Sequence, residues 1–366
     1  MSWKKASETP YVSVLFANRN DNYGEDLTDR INKFIQYYKE ICLKYPNLLQ
    51  FIVCDWNPPL SRKSLELEFD WSPLGNVMHC TVPGVVHNSI GGKRKIYDYF
   101  ARNVCARKSQ APWCLVLNQD IYLSPKLIEK IASRNLNKRF FYRADRVDFS
   151  LKNLRTDLTL ETISKTAKTG FTYRHRRHDV TYLTSNSDDQ ENQTEINSGT
   201  YPLTWELIDD EETTIYQTPR QIRNFHIFER CNAKYLQSKS TRQNLEQDFE
   251  FCNLFHLIGL HTNASGDFIL VPTKSYLRVR GFIETTDFYM HTDSYFVTQL
   301  FASGLGQRIF TKENCVYHLN HKETDHYSKE TIAWVKHAHN LTEVLLRKQS
   351  FKLNNRNWGL WDKIES

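Results

Sequence analysis

The feature that most constrains this chain is a run of short apolar segments, each closed by polar residues and separated from the next by helical spacing. Tyr11 to Ala17 (YVSVLFA) runs into Asn18, Arg19, Asn20 and Asp21. From Glu25 onward, Leu27, Ile31, Phe34, Ile35, Tyr38, Ile41 and Cys42 fall on one helical face. LLQFIVCDW (Leu48 to Trp56) follows, then a Pro-containing loop, NVMHCTVP (Asn76 to Pro83), a helix from about Lys93 to Lys108, and WCLVLNQD (Trp113 to Asp120). Strands joined by crossovers of this length predict an α/β fold with a mainly parallel sheet covered by helices. Ser124 and Pro125 then open another helix as N-cap and first-turn residue.

Past the apolar strand RFFYRADRVDF (Arg139 to Phe149) the character changes. Ser185 to Thr200 (SNSDDQENQTEINSGT) holds one large apolar residue, Ile196, too little to order itself by burial. Residues 151–250 therefore read as an insertion with a mobile polar segment at 185–200, between a first half at 1–150 and a second at 251–325. The second half carries a strand, DFILVPT (Asp267 to Thr273), a helix from about Thr292 to Ser303 ended by Gly304, and a β-like CVYHL (Cys315 to Leu319). Residues 326–366 give a last helix, about Lys329 to Arg347, and the tail NNRNWGL (Asn354 to Leu360). No internal repeat is present.

Length and composition narrow the function classes. A chain of 366 residues is long enough for one large α/β unit or two fused halves, which argues against a small stand-alone binding module. Lys and Arg number 48 against 42 Asp and Glu, and the net +6 is not gathered in a tail, so a nucleic-acid partner gains little support. The excess suits an anionic ligand such as a nucleotide diphosphate, or simply a mildly basic surface. Eight cysteines lie scattered without a CxxC pair, three of them (Cys54, Cys80, Cys114) inside strand-like runs, and read as reduced core residues. The start, MSWKKASETP, lacks the apolar stretch of a signal peptide, and no run approaches the ~20 apolar residues of a membrane span. The expectation is a cytoplasmic protein without a membrane span, in which the sequons at Asn192, Asn263 and Asn340 have no glycosylation meaning.

In an open parallel sheet, ligands bind beyond the carboxyl ends of the strands. Three strands here end in polar clusters: Asn18 to Asp21, Asp55 to Asn57, and Asn118 to Asp120. Asp120 follows the apolar CLVL, so its carboxylate is expected to emerge at the rim on a rigid support. That suits a hard divalent cation, Mn2+ or Mg2+, bridging the two phosphates of a nucleotide-sugar and neutralising charge on the leaving diphosphate. It suits an ordinary turn or cap residue equally well.

The pattern VSVLFANRND, CDWNPP, YFARNVCARK and WCLVLNQDIYLS resembles the nucleotide-binding half of GT-A glycosyltransferases. The resemblance implies that Asp55 contacts the base, that Asn103 lies on the helix flanking the nucleotide pocket, and that Asn118 and Asp120 form a DxD-type metal motif with Asn first. Asn18 and Asp21 join the nucleotide-sugar site from the first strand end. HTNASGDFILVPTKSYLRVRGF, FYMHTDSYF and CVYHLNH are similar to the acceptor half of galactosyltransferase-like enzymes. There the resemblance implies Gly266 and Asp267 at the acceptor, Asp293 as base, with Thr292 where the family often has Glu, and His318 as a further metal ligand. The two stretches cover about 11–150 and 256–325. A family of this kind takes a nucleotide-sugar donor, with a UDP-sugar favoured, and a glycan or glycoconjugate acceptor.

Chemistry supports a carboxylate at 293: an acceptor hydroxyl is a poor nucleophile until a base within hydrogen-bond reach takes its proton. A position at the start of a helix opposes this, since the macrodipole stabilises the anion and lowers its basicity. Asp293 can also be an ordinary first-turn Asp, with Glu284, Asp287 and His291 as rivals for the base. His318 and His321, three apart near a strand end, should face opposite ways, so one ligand at most is expected, and a buried hydrogen-bonded histidine is the other reading. Trp358 in the tail could stack on a sugar ring or plug the core. Two other functions stay open: a sugar nucleotidyltransferase, for which NRNDNYGED has only Gly24 in place of a Gly-rich phosphate loop, and a non-catalytic carbohydrate-binding or scaffold protein, which Asn118 and Thr292 in place of carboxylates would fit.

Overall fold

The structure, a computed structural model, describes residues 9–22, 25–91, 93–149, 158–166, 261, 265–287, 292–311, 313–319, 353–360 and 362–363, and the strands at 171–174, 179–184, 193–197 and 212–215. The expected last helix, Gly24, His291, His321 and the three sequons lie outside these residues.

The first half is built as its apolar runs dictate. β1 (Val12–Asn18), β2 (Leu49–Trp56), β3 (Val77–Val82) and β4 (Trp113–Val116) run parallel, with β4, β1, β2 and β3 side by side. All eight residues of β2 are buried, as a central strand covered on both faces requires. Alternation along β1 sends Val12, Val14 and Phe16 into one apolar core and Leu15 into the other. α1 (Leu27–Lys44) covers the first face, where Phe34 packs on Phe16 at 5.2 Å and on Phe51 at 5.9 Å between ring centres. Two short helices, α2 (Leu65–Glu68) and α3 (Gly84–Ser89), flank β3 in sequence. α4 (Asp98–Lys108) covers the second face through Ala101, Val104 and Cys105. It starts five residues later than the spacing suggested, because the Tyr97 hydroxyl accepts from the Lys93 and Arg94 amides and holds that stretch as a turn.

After β4 the chain turns through Asn118 to Asp120, forms the short β5 (Ile121–Leu123) and enters α5 (Pro125–Ala132). Ser124 caps α5 as expected, its Oγ accepting from the Leu127 amide at 3.2 Å with Pro125 in the first turn. The run 139–149, expected as one strand, is two: β6 (Phe140–Ala144) and β7 (Arg146–Phe149), in different sheets. Asp145 is the joint, its amide bonded to Phe310 in the first sheet and its carbonyl to Val316 in the second. α6 (Ile163–Thr166), β8 (Phe171–Arg174), β9 (Asp179–Thr184), β10 (Gln193–Asn197) and β11 (Glu212–Ile215) follow. β10 lies within the segment expected to be mobile: Ile196 and its neighbours pair antiparallel with β9. The other residues of 185–200 lie outside the description.

The second half contributes β12 (Ile269–Pro272), α7 (Thr273–Arg278), α8 (Thr292–Ala302), β13 (Gly306–Phe310) and β14 (Val316–Leu319). α8 stops at Gly304, whose φ of +98° ends the helix without a Cβ penalty. The main sheet has eight strands in the order β11-β13-β6-β12-β4-β1-β2-β3, and a six-stranded sheet has the order β10-β9-β8-β7-β14-β5. The fold is α/β, and its main sheet is parallel except for β12 and β11. No helix among the described residues is long and apolar enough to cross a membrane.

Candidate functional site

Strand order reverses between β1 and β4, since the chain steps outward from β1 to β2 and β3 and then returns to β1's other side. The carboxyl ends of those two strands bound the crevice where an open α/β sheet receives its ligand. β6 runs parallel to β4, and β12 runs opposite to both, with Ile269 beside Val116. Residues just before β12 and just after β6 therefore share the rim with Asn18, Asp55 and Asn118.

On the β1 and β2 side, Asn18 and Asp55 are register partners and both are buried. Asp55 Oδ2 accepts from the Leu65 amide at 2.8 Å, while Oδ1 and Asn18 Nδ2 have no hydrogen-bond partner among the described residues. Burial pushes the Asp55 carboxyl up to about 6, against the lowering effects of the Leu65 amide and the Arg19 charge. Arg19 spans from Asp21 (2.7 Å) to the Asn57 carbonyl (2.7 Å), so Asp21 fixes the loop through this ion pair.

On the β4 side, Asn118 is held from both ends. Arg102 of α4 donates to its Oδ1, and its Nδ2 donates to Asp267 Oδ1 at 2.8 Å. Asp267 Oδ2 is paired with Arg146 at the start of β7, and Arg146 lies along Asp148 with Nε at 2.7 Å and Nη2 at 3.0 Å. Burial alone would weaken the Arg146 cation, but Asp267 and Asp148 outweigh it and hold the charge firmly. Asp148 Oδ1 then meets His318 Nδ1 at 3.0 Å. Beneath them Arg143 is fully buried, and desolvation brings its pKa down to about 10 against the opposing charges of Asp293, Asp267 and Asp145. His261 Nε2 meets Asp145 Oδ1 at 3.1 Å.

Asp293, at the first turn of α8, is half-buried. Its Oδ2 accepts from the Gly266 amide at 2.7 Å and its Oδ1 from the Ser294 amide at 2.8 Å, so the carboxylate is fixed in direction. A Cβ on Gly266 would stand 3.5 Å from Asp293 Oδ2 and 3.8 Å from both Arg102 Nη1 and the Tyr99 hydroxyl, so three polar side chains converge on this one backbone position.

Three expected site residues turn elsewhere. Asp120 does not emerge at the rim: β4 ends at Val116, the turn reorients the next residues, and the Asp120 carboxylate is buried against Arg30 of α1 at 3.0 Å. Asn118 and Asp120 thus reach toward helices on opposite faces of the sheet. Asn103 spends its whole amide on the 276–284 stretch, donating to the Phe282 carbonyl (2.8 Å) and Glu284 (2.9 Å) and accepting from the Tyr276 hydroxyl and the Phe282 amide, both at 2.9 Å. Trp358 is buried in the core, with the Arg107 guanidinium 4.5 Å over its ring and Tyr276 stacked at 6.3 Å, so it plugs rather than offers a sugar platform.

Mn2+ or Mg2+ prefers several oxygen ligands. Asp120 is committed to Arg30, His318 to Asp148, and Asp267 and Asp148 to Arg146. Among the described residues no carboxylates at this rim gather into a group of three ligand atoms, so the donor set as arranged does not fit the ion, and positive charge here comes from Arg102 and Arg146. A cavity of about 240 Å³ lined by Lys44, Tyr45, Pro125, Ile128, Leu160 and Glu161 lies by the C-terminal end of α1, at the far end of the sheet from the rim.

Sequence reasoning passed over Arg102, Arg143, Arg146 and Asp148. The signal was present in RADRVDF, where four charged residues interrupt an otherwise apolar strand. Charges in such a place must be paired when buried.

No family model matches the chain, and no curated protein matches it.

Proposed function

We propose that the chain is a glycosyltransferase that moves a sugar from a nucleotide-diphosphate sugar, a UDP-sugar by preference, to a hydroxyl of a glycan or other acceptor, by single displacement with inversion. The observation that carries this reading is the convergence on Gly266, on the rim of the main sheet beside the end of β4, of an oriented half-buried carboxylate and a guanidinium: Asp293 and Arg102. In this reading Asp293 takes the proton of the acceptor hydroxyl as the new bond forms. Arg102 and Arg146 face the charge that builds on the departing diphosphate, a role for which a guanidinium's fixed fork is suited. The unsatisfied Asp55 Oδ1 and Asn18 Nδ2 offer one acceptor and one donor to the nucleoside on the neighbouring strand ends.

A screen of nucleotide-sugars by thermal shift tests donor binding, because a ligand of the folded state raises its stability. Turnover of the stabilising donor is then measured with and without acceptor, in Mn2+ and in EDTA. Donor stabilisation with transfer supports the reading. Donor binding without transfer or hydrolysis points to the non-catalytic alternative, and sugar-1-phosphate with nucleotide triphosphate as substrates points to the nucleotidyltransferase. Transfer that persists in EDTA assigns the leaving-group charge to the arginines, whereas strict Mn2+ dependence takes that role from them.

A further inference from the structure

We propose that Cys54, Cys80 and Cys105 form a three-thiolate site for a soft monovalent metal ion, Cu(I), between the main sheet and α4. Cys54 on β2 and Cys80 on β3 are register partners in parallel strands, so both side chains leave the same face of the sheet. Cys105 descends on them from α4. The three Sγ atoms all lie within 4.8 Å of one another, and none is in a disulfide. Metal–sulfur bonds of about 2.3 Å put the sulfurs of a trigonal site ~4 Å apart, so small side-chain shifts close the site.

Besides the bonds among themselves, the thiols hold weak bonds that an ion would replace: Cys105 Sγ to the Ile52 carbonyl at 3.3 Å and Phe16 carbonyl at 3.7 Å, and Cys80 Sγ to the Val53 carbonyl at 3.6 Å. Hydrogen bonds among the three draw the Cys80 thiol well below its ordinary range and push Cys54 well above it, while burial pushes Cys105 up. Lys108 faces Cys80 and Arg102 faces Cys105, both from α4, and both favour the thiolate.

The ligand set selects the ion. Three thiolates are soft donors, suited to Cu(I) or Zn2+. Structural Zn2+ takes four ligands in a tetrahedron, and among the described residues no fourth histidine, cysteine or carboxylate joins this group. Three-coordinate Cu(I) needs none. On binding, the three S–H bonds break, three protons leave to solvent, and three Cu–S bonds form with no change of oxidation state. Cys80, on the edge strand β3, is the thiol of the three nearest solvent, with 8% exposure.

The test uses the full reduced chain under anaerobic conditions, titrated with Cu(I) in competition with a chromophoric Cu(I) chelator. One ion per chain is expected, with an ultraviolet thiolate-to-copper band and a raised melting temperature. Cys80→Ser, at the sheet edge where the fold tolerates change best, should weaken binding by more than the ~10–100-fold typical of outer-shell changes. Cys54→Ala and Cys105→Ala should do the same, and Cys42→Ser and Cys315→Ser should not. Failure of the wild-type chain to retain copper while its thiols titrate as reduced overturns the proposal. So does full affinity in folded Cys80→Ser, or stoichiometric Zn2+ that copper does not displace. None of these results bears on the proposed sugar transfer, which uses none of these cysteines.

Discussion

Asp120 and Asp293 show how differently two acidic side chains can serve once their neighbours are known. Among the described residues Asp120 is one of two carboxylates on the buried Arg30, the other being Asp26 at 2.8 Å, so removing it leaves the guanidinium in the core with half its compensation. Asp120→Ala is therefore expected to lower stability, by at most the ~3–5 kcal/mol of a fully broken buried pair because Asp26 remains, read from urea denaturation, rather than leave the fold untouched as a rim ligand would. Unchanged stability would put Asp120 back at the surface. Asp293 is the reverse case, half-exposed and, among the described residues, hydrogen-bonded to the amides of Gly266 and Ser294. Asp293→Asn keeps shape and removes proton affinity, so transfer should fall ~100-fold or more while donor affinity stays near wild type. Near-normal turnover moves the base to Glu284 or Asp287, and a product of retained anomeric configuration removes the inverting displacement. Arg102→Gln breaks the bond to Asn118 and takes a charge from the rim. Donor-induced thermal stabilisation should shrink in that variant, and an undiminished shift would clear Arg102 of a donor-binding role.

The segment 353–360 is anchored by Arg107, which donates to the Trp358 and Arg356 carbonyls, by Arg280, which donates to that of Asn354, and by one carboxyl. Glu284 accepts from the Gly359 amide at 2.6 Å and from Asn103, and Asn354 bonds back to the Glu284 amide and the Phe282 carbonyl. Burial raises the Glu284 carboxyl to about 7, opposed by the Asn103 and Gly359 donors and by Arg107. The folded pKa exceeds the unfolded value of 4.5, so the folded state binds the proton more tightly. Stability from this group is full below about 4.5 and declines as pH rises toward about 7, by an amount on the order of 1–3 kcal/mol. Glu284→Gln should flatten that decline. Melting temperatures between pH 5 and 7.5 for both proteins measure it, and parallel curves would show that Glu284 does not titrate in the window.

At the scale of the molecule, two sheets share the chain at Asp145, and the rim belongs to the eight-stranded one. Deleting 185–200 with a short linker removes β10, the outer strand of the six-stranded sheet, and exposes β9 as an edge. Soluble yield should drop modestly while donor stabilisation persists; loss of donor binding would tie that sheet to the rim. The parallel order of β1, β2 and β4, the cap at Ser124 and the stop at Gly304 were legible in the sequence, because apolar alternation, capping chemistry and glycine's φ are local properties. Asn18, Asp55 and Asn118 were legible for the same reason: they close strands, and strand ends define the rim. Local pattern says nothing of which way a side chain turns once a strand stops. The turn after Val116 sent Asp120 to Arg30, the break at Asp145 divided one apolar run between two sheets, and β10 pairs with β9. Gly266, Asp267, Arg102, Arg146 and Asp293 are spread over nearly two hundred residues and meet because β12 runs antiparallel beside β4. Only tertiary structure brings such partners together, since the free energy of pairing buried charges depends on which groups arrive at the same place, and sequence separation does not encode it.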